Sequence, residues 1–161
     1  MALRQRGQYW YGDSAADIRE ILAHPYHGVL PCTHFADVVC ECGGRVFDLL
    51  IDDAYRQADF PCLSCERNYL FHLADDDGSY DGDPRADTEF RACPCDNNPN
   101  CRFEIVVGVC LSEDSDIPRQ VSIGCRCTKC GLTGSYADWD GIKLPYQRVF
   151  AHIWNRVLPE E

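Results

Sequence analysis

The chain has 161 residues, a formal net charge of -11 and twelve cysteines. That length suits one medium domain or two small ones, with enough chain to bury a core. The acidic balance excludes a general affinity for DNA or RNA unless a local basic face overrides it, and no apolar run is long enough to cross a membrane.

The N-terminal stretch from Met1 to Trp10 has no apolar segment of the kind that directs secretion, so a cytoplasmic location is expected. In that compartment, cysteines at C-x-C and C-x-x-C spacing point to metal ligation rather than disulfides. After Tyr9-Trp10-Tyr11, Ser14-x-x-Asp17 reads as a capping box. Ala15, Ile18, Ile21 and Leu22 follow at helical spacing, and Pro25 stops the helix. Residues 1–36 therefore form an N-terminal helical segment. His24, His27, Cys32 and His34 fall near its end, but their irregular spacing fits a loop better than a further metal site.

Residues 37–74 read as a first β unit. Cys40-Glu41-Cys42 precedes a predicted strand at 47–52, and Cys62-Leu63-Ser64-Cys65 precedes another at 69–73. Residues 75–92 are acidic and glycine-bearing, which predicts a linker. Asp77, Ser79, Asp81, Gly82 and Asp83 fall on calcium-loop positions, yet Thr88 stands where the bidentate glutamate belongs. The plan then repeats over 93–141: Cys93-Pro94-Cys95, strands at 102–109 and 121–124, and Cys127-x-x-Cys130 followed by Gly131. Tyr136-Ala137-Asp138-Trp139 comes next. The shared order predicts an internal duplication of roughly fifty residues. Residues 142–161 form the last element. Pro145 suits a first helical turn, and Tyr146, Val149, Phe150, Ile153, Trp154 and Val157 lie on one helical face. The expected class is α+β: two tandem zinc-ribbon-like β units in one compact domain, with a short N-terminal helix and a C-terminal amphipathic helix packed on the sheet.

Zinc takes four thiolates in a tetrahedron, and each half supplies two cysteine pairs. The candidate ligands are Cys40, Cys42, Cys62 and Cys65 in the first half, and Cys93, Cys95, Cys127 and Cys130 in the second. The expected content is about two zinc ions per chain. Cys125-x-Cys127 is also a C-x-C, so Cys125 competes with Cys127. Cys32, Cys101 and Cys110 have no assigned role. The spacing also suits a rubredoxin-like iron site, the rarer use. The arrangement resembles the zinc-ribbon group, with C-x-C in place of C-x-x-C in the first knuckle. That resemblance implies metal-capped hairpins. Ribbons serve transcription, translation and protein assembly, so it implies no single function.

A closed four-thiolate zinc has no open position for water, which makes it a staple rather than a catalyst. The chain lacks H-E-x-x-H, a phosphate loop and G-x-S-x-G. Pro61-Cys62-x-x-Cys65 fits half of a zinc-deaminase signature, but no His-x-Glu stands upstream. A redox role for either C-x-x-C competes with its place in a ligand set. No enzyme is expected. Residues 37–116 hold 19 acids against six arginines. That field favours a basic protein partner, as in small acidic immunity proteins that neutralise basic toxin enzymes, with Asp52, Asp53, Asp75, Asp76 and Asp77 as contact residues. The alternative is a nucleic-acid-associated ribbon. It would use the basic C-terminal third, with Arg119, Arg126, Lys129, Lys143, Arg148 and Arg156.

Overall fold

A computed structural model describes residues 3–24, 30–73, 87–95 and 102–150. In chain order the elements are β1 (Arg4–Arg6), β2 (Tyr9–Tyr11), α1 (Ala15–Ala23), β3 (His34–Asp37), β4 (Leu50–Asp52) and β5 (Gln57–Pro61). They continue with β6 (Asn68–His72), β7 (Glu89–Phe90), β8 (Phe103–Cys110), β9 (Gln120–Cys127) and β10 (Leu132–Trp139). A helical turn at 146–150 follows.

Over the described residues the protein is mostly β, with 41% strand in two antiparallel sheets and only 11% helix. This overturns the α+β expectation with its C-terminal amphipathic helix. Two things misled the sequence pattern. Short strands such as Arg4–Arg6 and His34–Asp37 are too brief and too polar to show an alternating apolar run. The apolar helical pattern after Pro145 is described only over 146–150, where Val149 and Phe150 are buried. Ile153, Trp154 and Val157 lie outside the described residues.

The larger sheet has the order β1-β2-β10-β9-β8-β3, and the smaller one β6-β5-β4-β7. Their inner faces share one core that includes Ile51, Phe60 and Phe71 from the smaller sheet, and Ile105, Ile123 and Trp139 from the larger. Phe71 stacks on Trp139 with ring centroids 6.4 Å apart. Helix α1 covers the other face of the larger sheet. Asp17 accepts hydrogen bonds from the backbone of Asp13 (2.7 Å) and Ser14 (3.2 Å), which satisfies amides at the helix start. Ile18 and Leu22 then lie directly over Gly124, where a Cβ would stand 2.6 Å from Ile18 Cγ2. The glycine is what lets helix and sheet approach.

Both halves run the same three-strand path, β4-β5-β6 and β8-β9-β10. Leu50 faces Asp59 and Ile51 faces Ala58, just as Val106 faces Gly124 and Val107 faces Ile123. On the far side Phe60 faces Tyr69 where Cys125 faces Gly134. The parallel ends at a β-bulge between Ser135 and Ala137. The strands that lead into the C-x-C pairs are exchanged. β3, just before Cys40, pairs with β8 of the later half. β7, just before Cys93, pairs with β4 of the earlier half. The exchange is carried one residue further by matching bonds, Val38 N to Ile105 O (3.0 Å) and Arg91 N to Leu49 O (2.8 Å).

Candidate metal centres

The first group lies where two turns meet. Cys40 and Cys42 sit in a turn closed by Gly43 N to Cys40 O (2.8 Å) and Cys40 N to Gly44 O (2.9 Å). Gly43 takes φ +88°, in the left-handed region that favours glycine. Cys62 and Cys65 form the tip of the β5–β6 hairpin, held by Cys62 N to Arg67 O (2.7 Å) and Glu66 N to Cys62 O (2.9 Å). In the second group, Cys127 ends β9 and Cys130 lies in the tip of the β9–β10 hairpin. Gly131 closes that tip at φ +85°, its amide bonded to Cys127 O at 2.8 Å. Cys93 and Cys95 arrive from β7.

Within each set the sulfurs lie within 4.8 Å of one another. Cys40 Sγ is 3.4 Å from Cys65 Sγ, and Cys42 Sγ is 3.7 Å from Cys62 Sγ. The second set repeats this crossing: Cys93 to Cys130 at 3.4 Å and Cys95 to Cys127 at 3.8 Å. A disulfide needs about 2.0 Å. A tetrahedron of sulfurs bound at about 2.3 Å has edges of about 3.8 Å. The spacing therefore fits two four-thiolate metal sites, and the cysteines are free thiols. The eight predicted ligands fall together in the two predicted sets of four. Cys125 does not join them. It is fully buried in the core, and burial pushes its thiol well up.

The two centres differ in their surroundings. Tyr69 Oη lies 2.9 Å from Cys40 Sγ and accepts a hydrogen bond from Glu41 N at 3.1 Å. With that acceptor site used, the hydroxyl proton is free to point at the sulfur. Burial opposes ionisation of Cys40, but bonds from Tyr69 and the Cys42 backbone outweigh it and bring the thiol from 9.0 down to about 6. In the second half Gly134 holds the register position of Tyr69, and a glycine there brings no hydroxyl from that position. There burial raises Cys93, and raises Cys95 to about 11. Cys127 is lowered, with the Cys130 and Lys129 amides outweighing its burial. A bound cation would draw all four thiols of a set to the thiolate form. Tyr69 carried no sequence signal, since an aromatic residue in a strand reads as packing.

The acidic candidates are placed as follows. Asp52 accepts from the backbone amides of Ala54 (2.9 Å), Tyr55 (3.2 Å) and Asp87 (2.6 Å), so it shapes the β4–β5 turn. Asp53 accepts from Trp139 Nε1 at 2.8 Å and from Arg91 at 3.3 Å, tying the smaller sheet to the larger. Asp75, Asp76 and Asp77 lie outside the described residues, as does the calcium-loop pattern up to position 86. Its last residue, Thr88, donates to Asp59 (3.1 Å). Of the earlier histidine cluster, His34 packs on the ring of Tyr146, and Cys32 is buried with its thiol raised to about 11. No third group of metal-ligating side chains is present among the described residues.

The fold and its sites define a β protein with two hairpin-borne tetracysteine groups compatible with zinc-ribbon-like knuckles. No known protein family, curated protein or solved structure matches the chain. No described helix is long and apolar enough to cross a membrane.

Proposed function

We propose that the chain is a zinc-binding protein that acts by docking onto a basic protein and turns over no substrate. The carrying observation is that each sulfur set is complete. Four thiolates around one zinc leave no coordination position for water or substrate, so the ions serve as structural staples. Zinc is chosen over iron because structural knuckles of this spacing are most often zinc sites. The shared strand registers support descent from one duplicated unit. The charge of -11 favours a cationic partner and disfavours nucleic acid. An acidic inhibitor of a basic enzyme, of the kind met in immunity proteins, matches this size and charge.

The test is a partner pull-down from the native cell, followed by association kinetics with the purified partner across a salt series. The expected partner is a basic protein whose on-rate falls as salt rises. Tight binding of single-stranded RNA at physiological salt would instead establish the nucleic-acid alternative.

A further inference from the structure

The two sulfur sets meet the solvent differently. In the first, Cys42 and Cys65 are exposed while Cys40 and Cys62 are buried. In the second only Cys95 is exposed; Cys93 and Cys127 are buried and Cys130 is half-buried. Each close contact of the first set joins an exposed sulfur to a buried one across the two turns. Cys42 lies 3.7 Å from Cys62, and Cys65 lies 3.4 Å from Cys40. An exposed thiolate with a second thiolate beside it is the arrangement of an oxidant-sensitive cysteine pair. The sulfurs have to close by less than about 2 Å to reach disulfide distance. Cys42 sits in a turn and Cys62 just past the end of β5, so little of the ladder has to move. The two close pairs are not equivalent. The Tyr69 hydroxyl lies 2.9 Å from Cys40 Sγ. A hydrogen bond that stabilises a thiolate also lowers its nucleophilicity. That leaves Cys62 as the better second nucleophile.

We infer that Cys42 is a site of oxidation by hydrogen peroxide and that Cys62 closes the resulting disulfide, so that the first centre opens before the second. This rests on the zinc-binding reading and adds a control to it. The Cys42 thiolate takes one oxygen from peroxide, giving a sulfenic acid and hydroxide. The Cys62 thiolate then attacks that sulfur, forming the disulfide and expelling a second hydroxide. Two electrons pass from the sulfurs to one peroxide. The first set keeps two thiolates, too few for a closed zinc site. Cys62 stands opposite Phe47 in a backbone bridge, and Phe47 also bridges Phe103, so the change reaches the joint between the halves. Cys32, Cys110 and Cys125 are buried and take no part.

The test takes the reduced, zinc-loaded chain, adds hydrogen peroxide, follows zinc with a chromophoric chelator and maps disulfides by peptide mass. One zinc should leave severalfold faster than the other, with Cys42–Cys62 as the main first disulfide. Thiol reductant and fresh zinc should restore the starting mass. In Tyr69→Phe the Cys40–Cys65 disulfide should rise to a comparable share, because the hydroxyl no longer damps Cys40. An unchanged disulfide pattern in that variant would overturn the choice of Cys62. Zinc retained against excess peroxide, both ions released at one rate, or a first disulfide in the second set would overturn the inference and leave zinc binding intact. A chain that holds no zinc before peroxide is added would remove the zinc-binding reading, and the inference with it.

Discussion

Phe47 and Phe103 face each other across an antiparallel bridge in which each amide donates to the other's carbonyl, at 2.8 and 2.9 Å. Each also stands opposite a metal-ligand candidate of its own half: Phe47 bridges Cys62, and Phe103 pairs with Cys127. Both rings are fully buried. One backbone bridge thus joins the two sulfur groups, and the exchanged strands β3 and β7 tie each C-x-C pair to the opposite half.

Loss of one metal site should therefore loosen both halves. Cys127→Ser is expected to lower Tm far more than Cys32→Ser, because metal-binding energy at such sites is folding energy. Hydrogen exchange should quicken at Phe47 and Leu49 as well as around the altered site. Equal melting temperatures for the two variants would remove Cys127 from the ligand set. Exchange confined to the second half would show the halves to be independent.

Tyr69→Phe removes the hydroxyl beside Cys40 Sγ. Outer partners of metal ligands typically govern affinity by about 10–100-fold. Competition with a chromophoric chelator should show one of the two sites weakened by about that factor and the other unchanged, since the Tyr69 hydroxyl touches Cys40 of the first set and Gly134 holds its register position in the second. Two equally weakened sites would contradict this assignment.

Two glycines offer a paired test of packing. Gly124→Ala drives a methyl into Ile18 and Leu22 and should cost about 1–3 kcal/mol by denaturant unfolding. Gly134→Ala meets nothing within 4 Å and should leave stability almost unchanged. Equal effects would mean that α1 does not sit on the sheet as described.

Cys32 gives a pH signature. Burial raises its thiol from 9.0 to about 11, so the folded state holds this proton more tightly than the unfolded one. The stability that follows is fully present below pH 9 and is lost as the pH rises towards 11. Denaturant midpoints should fall across that window, and less so in Cys32→Ala. In the native protein at neutral pH, Cys32 and Cys125 should resist alkylation; rapid labelling of either would contradict their burial.

The metal groups were legible in the sequence because a knuckle is a local object: pair spacing plus Gly131 prescribes the turn and the ligands together. Helix α1 was legible for the same reason, from Ser14, Asp17 and the spacing of Ile18, Ile21 and Leu22. Strands β3 and β7 were not, since each gains its place from a partner in the opposite half rather than from its own side chains. Asp52 and Asp53 looked like free surface charge. Only the fold shows one closing a turn and the other holding Trp139.

The most direct measurement is native mass spectrometry of the protein purified without chelator. Two zinc ions per chain, with every cysteine reduced and no disulfide, is the predicted result. A metal-free chain whose Cys40, Cys42, Cys62, Cys65, Cys93, Cys95, Cys127 and Cys130 are joined in disulfides would contradict it.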